Sequence, residues 1–374
     1  MNDFDLTNLA VQMTMPNNKL IKDENTGIPG VYVYFPKAKL KDVLNTDDDS
    51  THPAFIVNGK EIDGFWLGKY ISSYNNGVLY SLPGQDPTHD IQHQNFISMS
   101  YNKGNGHHNV TMAEAAYVAL WCKKNGFMPN GNNNFGKDAA ENVYQAVPSP
   151  NVSDNGRIAR TLTGTGPKSW YHNNDLSGVA DLNGNVWEAN SGIRFVFGEL
   201  QVLVNNNAAD PDNPMSEKAT TWKAIDASTG EYMDPQNTVT DTLANTYSHN
   251  VSVKLAWKTD HFEWTNVLSA DTASDSSKYC SFESVVAASS VCDAAKLKLR
   301  ALALLTDDGF TPGDYKGDGF WANNGAAERI CWRGGSWGSG SGAGVFRVNF
   351  SDPRSSANWS IGGRLAYIEN LPSE

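Results

Sequence analysis

The run Arg333-Gly334-Gly335-Ser336-Trp337-Gly338-Ser339-Gly340-Ser341, with the later Arg354-Ser355-Ser356-Ala357-Asn358-Trp359-Ser360-Ile361-Gly362-Gly363-Arg364, decides how this chain folds. By composition alone, Gly334 to Gly344 passes for a flexible linker. Yet Trp332, Trp337, Phe346, Phe350 and Trp359 are interleaved with the small residues. Linkers do not carry large side chains that demand burial. Short strands joined by tight loops account for the region better.

Working outward, Asp181-Leu182-Asn183-Gly184-Asn185-Val186-Trp187-Glu188 reads as a tight Asn/Gly turn leading into a strand. The clearest helix lies further back. Thr111-x-x-Glu114 is a capping box, Ala115 to Lys124 are good helix formers, and Asn125-Gly126 supplies a stop. Tyr117, Leu120, Trp121 and Lys124 share one side, which packs inward apart from the lysine. A second, shorter helix is expected at about Asp138 to Ala146. Phe65 to Ile71 reads as an aromatic strand.

Between Gly192 and Trp321 the character is mixed, with aromatic strands at Phe195 to Val204 and Val253 to Trp257. In the Ala-rich piece from Phe282 to Leu305, Lys296-Leu297-Lys298-Leu299-Arg300 alternates with period two while its neighbours favour helix, so that segment stays open. At the N-terminus, Val31-Tyr32-Val33-Tyr34-Phe35 is a strand of β-formers, and the polar run Asn45 to Thr51 reads as a linker. The early segment is either an attachment arm or a strand of the main domain. The expected organisation is an N-terminal arm over 1–51 and a main domain over 52–374. Within the latter lie an insertion over 193–320 and a ligand-binding region over 333–367.

Hydrophobic residues make up 40% of the 374, enough for a sizeable core, and charged residues only 19%. The net charge is −12 and Lys and Arg form no dense cluster, which argues against nucleic acid or an anionic membrane surface as partner. Cys122, Cys280, Cys292 and Cys331 contain no C-x-x-C, so neither a zinc ribbon nor a thioredoxin motif is present, and buried thiols are favoured over disulfides. Met1-Asn2-Asp3-Phe4-Asp5 lacks the features of a Sec signal, and no window has the apolar length of a membrane span.

Three signatures in order then carry a resemblance. The helix Met112 to Trp121, the turn Leu182 to Glu188 and the Arg333-Gly334-Gly335-Ser336-Trp337 motif, with the late Gly362-Gly363-Arg364, resemble the formylglycine-generating-enzyme branch of the C-type-lectin fold. The likeness runs from about Phe65 to Ile368, interrupted by the insertion. It implies an α+β fold: a C-type-lectin-like domain with two helices flanking a small twisted antiparallel sheet, long ordered loops and a large insertion.

Within that branch the chain is similar to the variable proteins diversified by retroelements in phages and gut bacteria. Their C-terminal region resembles Gly-Gly-Asn-Trp-Asn-Asn-Gly-Ser running on to Arg-Ser-Asn-Ala-Asn-Trp-Asn-Ile-Gly-Phe-Arg. Where such a template has Asn, this chain often has Ser, Gly, Arg or Asp. Errors at template adenines turn AAC or AAT codons into a restricted set that excludes Lys, Glu, Gln, Met and Trp. Between Arg333 and Tyr367 there is no Lys, Glu, Gln or Met.

The resemblance implies a receptor-binding protein, not an enzyme, whose ligand is a protein or glycan on a cell surface. It also implies display on a phage tail or a bacterial surface, and the missing Sec signal favours the phage. A homo-oligomer would add avidity. Displayed positions by alignment are Ser336, Gly338, Ser339, Gly342, Arg347, Phe350, Ser351, Asp352, Ser356, Ser360, Gly363, Leu365 and Tyr367. Trp337 and Trp359 become fixed scaffold. Arg347, Phe350 and Tyr367 are expected to contribute most of the binding energy, with core packing the competing reading for Phe350.

Two enzyme readings of the same scaffold are weighed against this. A copper-dependent oxidase needs a pair of late cysteines, and nothing after Cys331 supplies one. A three-His iron site needs His-x-x-x-Glu-x-x-His; His89 and His93 are four apart without a Glu between, and His107-His108 reads as an exposed loop pair. A calcium-dependent lectin lacks its Glu-Pro-Asn or Gln-Pro-Asp triplet. No cofactor is expected. Side-chain oxygens of Asp181, Asn183 and Asn185 alternate around a turn that could take a structural calcium, with a plain Asx-rich turn favoured. A fixed-specificity lectin or a structural virion protein, its C-terminal face buried in assembly, remains the alternative.

Overall fold

β-branched and aromatic residues set the strands, and the computed structural model, which describes residues 2–104 and 106–372, is mixed α+β with few helices and many strands. Two sheets carry the fold. The smaller has five strands in the order Asn18–Lys22, Pro29–Pro36, Gly64–Gly68, Leu365–Tyr367 and His107–Asn109, all paired antiparallel. Residues before His52, left open as an arm or as a strand of the main domain, thus supply two of its strands. His107 and His108 are not an exposed loop pair: they are buried in its edge strand.

The larger sheet has twelve strands. Its main path runs Lys278–Ser281, Gly319–Ala322, Gly344–Phe350, Arg329–Gly334, Trp187–Val196, Glu199–Val202, Lys254–Trp257, Phe262–Thr265 and Val286–Ala287. The expected small antiparallel sheet is therefore corrected in size and in pairing. Strands from the stretch assigned to an insertion widen it, and three of its pairs are parallel.

Side chains alternate across a strand, so the register sorts this sheet into two faces. One cross-strand row holds Cys280, Phe320, Val348, Arg333 and Glu188. It faces the main core, where Phe320, Val348 and Cys280 are buried together. The next row holds Tyr279, Trp321, Asn349, Trp332 and Ala189 on the opposite face.

The helix Met112–Lys124 forms as its capping box dictates, with Thr111 Oγ1 accepting from Glu114 N and Glu114 accepting from Thr111 N. It is buried on nearly every side and packs against the strands Trp187–Val196 and Gly344–Phe350. The second helix expected at Asp138 to Ala146 is absent; the segment is a chain of turns. Asp138 accepts from Gly131 N, Asn133 Nδ2 and Ala140 N, while Glu141 accepts from Asp138 N, Asn130 Nδ2 and Trp170 Nε1. Side-chain bonds of this kind compete with the helical ladder. The other helices of more than one turn are Asp3–Thr14, His93–Tyr101 and Asp293–Ala301, and the last settles Lys296 to Arg300 as helix. Among the described residues no helix is long and apolar enough to cross a membrane.

Candidate ligand-binding surface

The strand Arg329–Gly334 ends where Gly334 and Gly335 adopt φ of 87° and 88°, a left-handed pair that side chains resist. A Cβ on Gly335 would lie 2.7 Å from that of Ala343, so the loop can close only on glycine. Within it Ser336 N donates to Ser339 Oγ at 2.9 Å, and Ser339 N to Ser336 O at 3.0 Å. Trp337 points inward among Ile71, Ala159 and Val186, with Nε1 donating to Asp154 Oδ2 at 3.3 Å.

After the strand Gly344–Phe350 comes a second loop, 351–360, held at several points. Arg354 donates to Glu328 through Nε and Nη2 at 3.0 and 2.8 Å, and Arg194 meets the same carboxylate at 2.9 Å. Asn349 Oδ1 accepts from Ser351 N, and Asn358 Oδ1 accepts from both the N–H and the hydroxyl of Ser360. Trp359 then lies across the Trp337 ring, joining the two loops.

Buried cations anchor the frame beneath. Arg364 is bidentate to Glu188 at 2.8 and 2.7 Å and donates to the carbonyls of Gly68 and Ala180. Arg333 donates to Leu302, Ala303 and Val345 carbonyls, and burial lowers its pKa to about 10. The two arginines of the sequence signature are thus internal struts.

The thirteen positions expected to be displayed divide. Gly338 is exposed, and Ser336, Ser339, Gly342, Ser351, Asp352, Ser356 and Ser360 are half-buried around the two loops. Tyr367 is half-buried on the smaller sheet, away from them, against His107. Three expectations are corrected. Phe350 is fully buried against Phe195, ring centroids 4.2 Å apart. Leu365 is fully buried, and a Cβ on Gly363 would press on the Phe96 ring at 2.7 Å. Their strand pairing turns them inward.

Arg347 is also corrected in part, being only 5% exposed. Its guanidinium lies 5.2 Å from the ring centres of both Trp187 and Tyr279 and 6.0 Å from that of Trp321. Nη1 donates to Gly342 O at 2.7 Å, and side chains on Gly319 or Gly342 would collide with it. Tyr279 was missed because it falls in the presumed insertion, and Trp321 because it stands directly after its end. Their signal was present: Gly319-Phe320-Trp321-Ala322 sets a core Phe beside a Trp of opposite parity.

Other candidate groups are placed too. All four cysteines are free thiols, three of them buried, and burial pushes Cys331 up to about 12 and Cys280 up to about 11. His93 is buried, its Nε2 3.0 Å from Asn190 O. Oxygens of Asp181, Asn183 and Asn185 accept separately from Gly164 N, Asn133 Nδ2 and Thr161 N. Each residue thus accepts from a different N–H donor, as in an Asx-rich turn.

No family model matches the chain, and no curated protein matches it. Among solved structures it is similar to the U1 variant of Major Tropism Determinant, with 11% identity and a TM-score of 0.30 over 92% of this chain and 67% of that one. The P3c variant gives 10% identity and 0.31 over the same shares. PvdO from Pseudomonas aeruginosa gives 11% identity and 0.34 over 94% of this chain and 98% of that one. None of these likenesses transfers a function.

Proposed function

We propose that the chain is a non-enzymatic receptor-binding protein, presenting loops 336–342 and 351–360 to a protein or glycan on a cell surface. One observation carries the reading: both loops show short polar side chains outward while buried anchors fix their backbone. Trp337, Arg333 and Arg364 are internal, whereas Ser336, Ser339, Ser356 and Ser360 keep part of their surface in solvent. Substitution at such outward positions costs little stability, within about 0.5 kcal/mol. That is what diversification by a retroelement would need.

Thiols held protonated by burial are poor nucleophiles and poor metal ligands, which favours binding over oxidase chemistry. Among the described residues no group of three or more His, Cys, Asp or Glu side chains could hold a metal ion. Display on a phage tail, as an oligomer whose copies add avidity, completes the proposal, with no cofactor required.

The test is the neighbouring genome. A near-identical copy of the segment encoding Arg333 to Tyr367, differing only at adenines and lying beside a reverse transcriptase gene, is expected. Its differences should fall on the seven loop positions other than Gly342, where a side chain would meet Arg347, and spare Phe350, Gly363 and Leu365. A locus without copy or reverse transcriptase overturns diversification and leaves a protein of fixed specificity.

A further inference from the structure

We propose that Tyr279 and Trp321 form a fixed platform on which an uncharged pyranose unit of a glycan stacks. The inference rests on the ligand-binding reading and names a ligand class for the aromatic surface that borders the two loops.

Tyr279 is 47% and Trp321 37% exposed, although both belong to regular strands. They are direct cross-strand partners on the outer face, at the edge of the large sheet. Their rings meet edge-on, centroids 6.3 Å apart and planes at 78°, which makes a corner. Arg347 backs that corner, fixing both rings from beneath. The platform is therefore preorganised, and little side-chain entropy remains to be lost on binding.

Beside the rings lie polar groups in the same cross-strand row. Asn349 neighbours Trp321 in the register, and its amide donates to Asp352 Oδ2 at 3.0 Å. Ser351, just past the strand end, donates its N–H to Asn349 Oδ1, and its own hydroxyl is buried without a hydrogen-bond partner. Buried polar atoms left unpaired in a protein ask for an explanation. A hydroxylated ring supplies one: its C–H face covers an aromatic ring while its hydroxyls donate and accept at the rim. A flat apolar partner would satisfy none of these groups. The net charge of −12 disfavours a polyanion, so the sugar is uncharged. Asp352 and Gly342, both at this rim, join the platform to the proposed variable loops.

The full chain should be run through native gels that each contain one neutral polysaccharide: dextran, mannan, galactan or a β-glucan. Retardation by at least one is expected. Trp321→Ala and Tyr279→Ala should each weaken it by about tenfold, the scale of one aromatic contact. Trp321→Phe, which keeps a ring, should stay close to the parent. No retardation in any gel, or retardation untouched by Trp321→Ala, overturns the platform. Adhesion to host cells separates the two proposals. Adhesion lost in Ser356→Arg but unaffected by Trp321→Ala, with negative gels, removes the platform and leaves the loop reading. Adhesion and retardation lost in Trp321→Ala, with Ser339→Tyr and Ser356→Arg silent, sustain the platform and remove the loop reading.

Discussion

Trp337 and Trp359 stand edge to face, ring centroids 4.7 Å apart and planes at 68°, and so clasp the two loops of the proposed surface. The clasp is unequal. Trp337 is 3% exposed and Trp359 40%. Trp337→Ala should cost about 3–5 kcal/mol, as for a buried aromatic. Trp359→Ala should cost about 1 kcal/mol, mostly the pair itself. Urea unfolding of both single variants and the double gives the coupling. Equal losses at the two positions would contradict this division of roles.

Arg364 and Glu188 make the buried pair that ties the last strand to the Trp187–Val196 strand. Removing one partner of such a pair strands the other charge, at about 3–5 kcal/mol. Glu188→Gln should therefore lower the unfolding midpoint far more than Asp49→Asn, at an exposed pair with Lys39. Similar shifts in the two variants would show that the internal strut is not structural.

Much of this was legible where the causes are local. The capping box from Thr111 to Glu114 specifies its helix within four residues. The twin glycines before Ser336 announce a turn, and Trp337 and Trp359 read as scaffold. The core role of Phe350 was legible too, because Phe346-Arg347-Val348-Asn349-Phe350 alternates with period two and sets Phe350 on the face of Phe346. Alignment to a template ignores that parity and places Phe350 and Leu365 outside. What lay beyond the sequence depends on distant partners. Asp138 and Glu141 abandon helix for bonds to Asn133 and Trp170, and Tyr279 reaches Trp321 and Arg347 only through strand register.

The division between displayed and buried positions can be measured directly. Gly338→Ser and Ser356→Tyr should change stability by no more than about 0.5 kcal/mol. Leu365→Ala and Phe350→Ala, at fully buried sites, should lose about 2–5 kcal/mol. Thermal unfolding of the four variants checks both halves. A stable Leu365→Ala chain would return that position to the surface.

Asp318 gives the chain a pH dependence of definite sign. It is buried, its carboxylate accepts from Phe346 N at 2.8 Å, and burial raises its pKa to about 8 despite Arg347, Lys316 and Arg333 nearby. Asp181 is raised by burial as well, to about 6. Between the ordinary aspartate value of about 4 and these raised values, the folded chain holds protons that the unfolded chain has released. Their contribution to stability is complete below the unfolded pKa and is lost as pH rises through the folded one. Stability should thus fall from about pH 4 to pH 8 on their account. Asp318→Asn keeps an oxygen for Phe346 N and cannot ionise. It should flatten that slope and unfold at higher urea than the parent at pH 8. A parent-like slope in Asp318→Asn would mean that the neighbouring arginines keep this carboxylate ionised.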